Sequence, residues 1–126
     1  MKLLTHNILT SKVIKKVING YPLKLVANKV EVKKSDFQPD FVRRMMERVN
    51  YDVLFTAANT VNQGEGLPKP EEYKEDLLND EDLVKRLHTA LLEVEIIEGE
   101  LICPETGRSF PIQNGIPNML ANEDEV

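Results

Sequence analysis

The spacing of apolar residues changes twice along the chain. Between Leu23 and Val32, apolar and polar residues alternate, which is typical of a strand with one buried face. In the middle of the chain apolar residues recur at helical spacing, in three stretches at residues 38–49, 51–61 and 80–91. From Leu92 the alternation returns. The pattern predicts strands towards both ends of the chain and helices between them.

Residues that can cap a helix precede each helical stretch. They are Ser35 and Asp36, Asn50 and Asp52, and Asn79 and Asp80. Residues 63–80 hold two glycines and two prolines, which predict a mobile surface loop with room for one short helical turn. The simplest architecture is an α+β fold, in which residues 1–34 and 91–126 form a small β domain and residues 35–90 form an inserted helical domain.

Two turns are predicted at the start of the C-terminal part of the chain. Glu98 and Gly99 indicate a turn that closes a hairpin with residues 100–102. Pro104 lacks a backbone donor and Gly107 permits positive φ, so residues 103–108 are expected to reverse the chain in a compact knuckle.

A second hairpin follows the knuckle. Asn114 and Gly115 form the strongest short hairpin signal in the chain, between strands predicted at residues 109–113 and 116–120. Pro117 cannot donate to a ladder and therefore belongs on a sheet edge or at a bulge. An apolar edge strand needs a cover, which is the first indication of a binding function. The tail at residues 123–126 is acidic and expected to be disordered.

Composition restricts the classes of function. The chain has 126 residues and a formal net charge of −5, which argues against binding of RNA or DNA led by phosphate contacts. No run is long and apolar enough for a membrane helix, and a cytoplasmic or nuclear location is expected. The single cysteine excludes an intramolecular disulfide and a zinc site built from cysteines.

Candidate catalytic groups are isolated. His6 and His88 lack a neighbouring cluster of ligands or nucleophiles in the sequence. Glu93 and Glu95 alternate on a predicted strand and are interpreted as solvated carboxylates. Neither a phosphate-binding loop nor a nucleophile elbow occurs. We therefore predict that the chain is not an enzyme.

Four segments of the chain read MKLLTHNIL, DFQPDFV, LLEVEIIEGELICPETGR and FPIQNGIPNML. Together they resemble the family of eukaryotic multifunctional methyltransferase activator subunits. The resemblance implies a zinc-ribbon-like β domain formed by both termini, with an inserted helical domain. It also implies a non-catalytic subunit that binds and stabilises S-adenosylmethionine-dependent methyltransferases acting on tRNA, ribosomal RNA and a translation release factor. The methyl donor and the catalytic residues would then lie on the partner, and RNA would be reached only through it.

The chain differs from some members of this family at the positions of the zinc ligands. Some members carry zinc on four cysteines, two near the N-terminus and two in a CxxC motif. Here Cys103 is the first residue of that motif, Thr106 replaces the second cysteine, and the N-terminal region offers Ser11 and Lys16 but no cysteine. Because tetrahedral zinc needs four good ligands, we predict that no structural zinc is bound.

We predict that the C-terminal strand binds the partner by strand addition and by covering an apolar patch. The predicted contact residues are Ile116, Pro117, Asn118, Met119 and Leu120, followed by Phe110, Ile112, Thr5, His6 and Asn7. For Phe110, Ile112 and Met119 the alternative is that they fill the core. The alternative function is a small ribbon-like RNA-binding module.

Overall fold

The computed structural model describes residues 1–121, so the predicted disordered tail lies outside the described part of the chain. Its helices are α1 (Leu3–Ile8), α2 (Pro39–Met46), α3 (Tyr51–Thr60) and α4 (Glu81–His88), with a 3-10 turn at Glu75–Asn79 and a π turn at Thr89–Glu93. Its strands are β1 (Lys24–Val32), β2 (Val94–Ile102), β3 (Ser109–Gln113) and β4 (Ile116–Pro117). The predicted mixture of helices and strands is confirmed. Within residues 1–121, no helix is long and apolar enough to cross a membrane.

The four strands form one antiparallel sheet in the order β1-β2-β3-β4. The first strand is continuous but irregular, because its register with β2 shifts between Ala27 and Val30. The fully buried side chains of Leu3, Leu54 and Leu87 come from α1, α3 and α4, and those of Ile96 and Phe110 come from the sheet. All five belong to one apolar cluster, so helices and sheet share a core. The division into a β domain and a helical insertion stays a prediction.

The predicted hairpin at Glu98 and Gly99 is wrong. Strand β2 runs through both residues, pairing with β1 on one side and with β3 on the other. Gly99 allows the backbones of β1 and β2 to approach each other closely, because a Cβ atom at this position would lie 2.2 Å from the carbonyl oxygen of Val26. A glycine inside a strand often marks such an approach between two backbones, and here it lies opposite the interruption in β1.

The N-terminal helix α1 was not predicted. It has six residues and no side-chain cap at Lys2, so local signals for it are weak. Burial of Leu3 at 0% exposure ties the helix to the core. Tertiary packing, which the local sequence does not display, therefore decides its conformation.

Candidate functional site

The two outer edges of the sheet differ in chemistry. The β1 edge carries the register shift and exposes the charged side chains of Lys24 and Lys29. Bulges and lysines are devices that keep an edge strand from pairing with another chain. The β4 edge carries apolar residues, and Ile116 is 69% exposed. The candidate site is therefore the β4 edge, and the predicted position of Pro117 on a sheet edge is confirmed.

The turn before β4 fixes this edge. Asn114 and Gly115 both have positive φ, 52° and 77°, as a type I′ hairpin turn requires, so the predicted hairpin is confirmed. Strand β4 covers only Ile116 and Pro117, fewer residues than the predicted strand 116–120. The backbone nitrogen of Asn118 still donates to the carbonyl oxygen of Pro111, at 2.9 Å. Because backbone groups alternate in direction along a strand, the carbonyl of Pro117 faces away from β3, and Pro117 has no N–H group.

A groove accompanies the edge. It has a volume of about 580 Å³, and its lining residues are Gln113, Asn114, Ile116, Pro117, Asn118, Met119 and Leu120. Leu120 is 77% exposed, whereas Met119 is partly buried against the core. The structure thus brings all five predicted C-terminal residues to one surface, and the groove supplies exposed apolar area beside free backbone groups.

Phe110 and Ile112 lie in the core and not on the candidate site. Their side chains are 0% and 1% exposed and belong to the core cluster. Arg108 packs over the ring of Phe110 at 4.7 Å from its centroid. Of the two interpretations of Phe110 and Ile112, the structure supports the core.

The triplet Thr5, His6 and Asn7 is mostly internal. Nε2 of His6 donates to the carbonyl oxygen of Leu23 at 2.7 Å, and Asn7 exchanges two hydrogen bonds of 2.9 Å with the backbone of Asn50. His6 and Asn7 are each 3% exposed, while Thr5 keeps partial exposure. His6 and Asn7, which were predicted to contact a partner, are buried and instead bond α1 to neighbouring elements.

A second concavity lies beside His6. It measures about 650 Å³ and is lined by residues of α3 and of the start of β1, including Leu25, Val53 and Ala57. Burial lowers the pKa of His6, partly offset by its hydrogen bond to Leu23, and Nδ1 has no hydrogen-bond partner. The cavity and the β4 groove share no lining residue.

A polar cluster surrounds the other histidine. Nε2 of His88 lies 3.1 Å from the hydroxyl oxygen of Ser35 and 3.6 Å from Oε2 of Glu93. A catalytic triad needs its nucleophile and its orienting carboxylate on opposite ring nitrogens, whereas here both face Nε2, and Nδ1 has no partner. The arrangement therefore ties the segment after β1 to the end of α4 and does not form a nucleophilic site.

Glu93 is not the solvated carboxylate that the sequence suggested. It is 4% exposed and accepts hydrogen bonds of 2.8 Å from the backbone of Ser35 and from the Thr89 hydroxyl. Burial raises the pKa of Glu93, but these hydrogen bonds outweigh it and hold the pKa below its usual value. Glu93 is buried because it ends the π turn that follows α4 and does not belong to β2, so its side chain is turned inward.

The knuckle at residues 103–108 forms as predicted. The amide of Cys103 donates to the carbonyl of Arg108, the amide of Gly107 donates to the carbonyl of Cys103, and Gly107 has a φ of 77°. The sulfur of Cys103 lies 2.9 Å from the hydroxyl oxygen of Ser11 and 3.4 Å from the amide nitrogen of Thr106.

These atoms do not fit zinc. One thiol and the hydroxyl groups of Ser11 and Thr106 make a poor donor set, and Oγ of Ser11 is already hydrogen-bonded to Sγ of Cys103 at 2.9 Å. Among residues 1–121, no group of three or more His, Cys, Asp or Glu side chains could hold a metal ion.

Glu105 fastens the knuckle to the N-terminal loop, a contact that sequence reasoning missed. Its carboxylate accepts hydrogen bonds from the backbone nitrogens of Ile18, Asn19 and Gly20, at 3.1, 2.8 and 2.6 Å. These bonds lower the pKa of Glu105. A single exposed glutamate in a turn gives no sequence signal for a contact made 85 residues away.

Comparison with known proteins identifies the family of this chain. A family model described as Trm112p-like protein matches residues 2–115. The multifunctional methyltransferase subunit TRM112 homolog A of Arabidopsis thaliana is 46% identical over 100% of both chains. The TRM112-like protein of Mus musculus is 46% identical over 100% of this chain and 98% of its own, and the Saccharomyces cerevisiae subunit TRM112 is 31% identical over 95% and 96%.

A solved structure has the same fold. It is the complex of Mtq2 and Trm112 from E. cuniculi, which is responsible for methylation of the translation termination factor eRF1. The likeness has a TM-score of 0.64 and 20% sequence identity, and covers 95% of each chain. At this identity the comparison concerns the fold alone.

Proposed function

We propose a function for this chain, which belongs to the Trm112p-like protein family: it is an activating subunit of methyltransferases. Its relatives are multifunctional methyltransferase subunits, and the structural neighbour is bound to the methyltransferase Mtq2. The proposed partners are S-adenosylmethionine-dependent enzymes that modify tRNA, ribosomal RNA or a release factor.

One observation carries the mechanism, namely the apolar and unpaired β4 edge. A strand of the methyltransferase adds beside Pro117, where a backbone carbonyl faces outward, and its apolar side chains cover Ile116 and Leu120. Backbone pairing depends little on the partner's side chains, so several enzymes can bind the same edge. Because the subunit binds the folded enzyme and not the unfolded chain, it stabilises the enzyme by mass action.

Catalysis is assigned to the partner. The geometry of the two histidines supports this assignment, because Nε2 of His6 is bonded to the carbonyl oxygen of Leu23 and Nε2 of His88 faces both Ser35 and Glu93, which is not the arrangement of an activated nucleophile. Structural zinc is proposed to be absent, with hydrogen bonds to Cys103 and Glu105 holding the two loops of the ribbon-like part together. Elemental analysis of the purified chain should give less than one zinc per ten molecules, and one zinc per molecule would overturn this point.

The function is tested by co-expression with an Mtq2-like methyltransferase of the same organism. The double variant Ile116→Asp and Leu120→Asp places two charges in the proposed contact while leaving the core intact, since both side chains are largely exposed. Burial of an unpaired charge typically costs several kcal/mol, so the variant should lose both the complex and the rescue of soluble enzyme.

The matched control is Val32→Asp, because Val32 is an exposed apolar residue at the far end of β1. It should rescue the enzyme as well as the wild type does. Circular dichroism and the melting temperature of each free subunit verify that folding is preserved. Equal rescue by the double variant would remove β4 from the interface, and failure of the wild type with every methyltransferase would remove the proposed function.

A further inference from the structure

Residues 11–19 follow a period of three that the sequence did not reveal. The amide of Ile14 donates to the carbonyl of Ser11, and the amide of Val17 donates to the carbonyl of Ile14. Turns of this kind place residues three apart on one side. Ser11, Ile14 and Val17 are buried, at 0%, 6% and 9% exposure. The other two thirds of the loop consequently face solvent.

The outward sides of this loop carry three lysines together with the exposed apolar side chains of Val13 and Ile18. Lys12, Lys15 and Lys16 are exposed, and residues 10–19 contain no acidic residue. Within residues 1–121, no ion pair or side-chain hydrogen bond engages any of the three ammonium groups. The carboxylate that reaches the loop, Glu105, is bound by backbone amides. The loop is therefore locally positive in a chain whose net charge is −5.

The loop is also held in place. Its buried side chains pack against the core. Glu105 binds the end of the loop to the knuckle, and the hydrogen bond from the amide of Ser11 to the carbonyl of Gly20 joins the two ends of the loop. Three like charges on one anchored ridge repel each other, and this repulsion lowers the stability of the free chain. A ligand of opposite charge would relieve it.

The loop and the β4 edge flank the same knuckle. On one side Glu105 contacts residues 18–20, and on the other Arg108 reaches the carbonyl oxygen of Leu120 at 3.4 Å. The knuckle therefore contacts both the end of the lysine loop and the segment that follows β4. This juxtaposition ties the charged surface to the proposed interface.

We propose that Lys12, Lys15 and Lys16 form a contact surface for the phosphate backbone of RNA bound by the methyltransferase complex. This inference rests on the proposed function, which supplies the enzyme next to the loop. A row of point charges on a rigid ridge fits a linear polyanion, and lysine binds phosphates in this way. Since the loop has no aromatic residue on which a base could stack, the contact is independent of base sequence.

The test compares the complex of wild-type chain and methyltransferase with a complex that carries Lys12→Gln, Lys15→Gln and Lys16→Gln. Binding of a fluorescein-labelled single-stranded oligouridylate is measured by anisotropy over a series of salt concentrations. The triple variant should bind about tenfold more weakly at low salt. The slope of log K against log salt should become shallower by about 2, which corresponds to three lost phosphate contacts on a single strand.

The matched control replaces Lys33, Lys69 and Lys74 by glutamine, because these residues are also exposed and lie outside the loop. It changes the net charge equally and should leave affinity and slope within about twofold of the wild type. Equal slopes for the wild type and the loop variant would overturn the proposal. So would competition by polyglutamate as effective as competition by unlabelled RNA, which would identify an acidic protein as the ligand.

A second arm separates this inference from the proposed function. The full chain alone is titrated with the same oligouridylate while its amide resonances are followed. Shifts concentrated in residues 11–20 support the contact even where no methyltransferase is captured. Shifts that are absent or centred elsewhere overturn it even where the complex forms.

Discussion

The hydroxyl oxygen of Ser11 lies 2.9 Å from the sulfur of Cys103, although 92 positions separate the two residues. The amide of Thr106 approaches the same sulfur at 3.4 Å. Burial raises the pKa of the Cys103 thiol, but the hydrogen bonds from Ser11 and Thr106 outweigh burial and bring the pKa below its usual value. A buried thiol thus joins the N-terminal loop to the knuckle through ordinary hydrogen bonds.

Replacement of Ser11 by alanine should raise the pKa of Cys103, because the thiolate loses a donor. The loss of this buried hydrogen bond should also lower the free energy of unfolding by about 1 kcal/mol. Thiolate absorbance against pH and urea denaturation measure the two effects. Ser109→Ala is the control, since Ser109 makes an exposed hydrogen bond to Glu100. An unchanged pKa in Ser11→Ala would show that Ser11 does not stabilise the thiolate.

Replacement of Glu105 by alanine should free the loop end. The amides of Ile18, Asn19 and Gly20 then lose their acceptor, and their hydrogen exchange should accelerate. The same amides should lose protection in the wild type as the pH falls through the lowered pKa of Glu105, because the protonated carboxyl is a weaker acceptor. Glu47→Ala changes an exposed carboxylate on α2's C-terminal side and should leave these rates unaltered.

Gly99 and Gly107 differ in the room that the structure leaves for a side chain. Gly99→Ala places a methyl group 2.2 Å from the carbonyl oxygen of Val26, so β1 and β2 must separate and the free energy of unfolding should fall by about 2 kcal/mol or more. Gly107→Ala meets no atom within 4 Å and suffers only from its φ of +77°, which costs about 1 kcal/mol. Thermal and urea denaturation give the order of the two variants. The reverse order would contradict the close approach at Gly99.

The buried His6 predicts a pH dependence of stability. Its folded pKa lies below the unfolded value of about 6.5, so the unfolded state binds more protons and stability falls as the pH drops from 6.5 towards the folded pKa. His6→Gln keeps a donor for Leu23 without a titrating ring. Urea denaturation between about pH 7 and pH 5 should give a flatter profile for the variant. Parallel profiles would exclude His6 as the source, because His88 is common to both proteins.

Local signals in the sequence were sufficient where a few neighbouring residues decide the conformation. Asn114 and Gly115 both need positive φ, and their side chains alone identify the turn. Asn50 and Asp80 cap α3 and α4, as two of the predicted capping positions required. The 3-10 turn at Glu75–Asn79 lies within the loop for which one short helical turn was expected.

Contacts between distant residues were not accessible in this way. Gly99 has the appearance of a turn residue, and only the path of β1 shows why a side chain is excluded there. His6 and Asn7 look like free polar groups until Leu23 and Asn50 are placed beside them. Lys12, Lys15 and Lys16 are visible in the sequence as a small basic patch, for which a solvated face is the simpler interpretation, and only the turns at Ile14 and Val17 show that the three share the outward side of one loop.

The outward-facing Pro117 has a consequence for self-recognition. If two copies of this chain paired their β4 edges, each would bring a position without an N–H group, and the shared ladder would lack two donors. A methyltransferase strand that pairs there leaves only one donor missing. The edge therefore discriminates against its own copy more strongly than against a foreign strand, which favours a monomeric subunit that can be exchanged among competing enzymes.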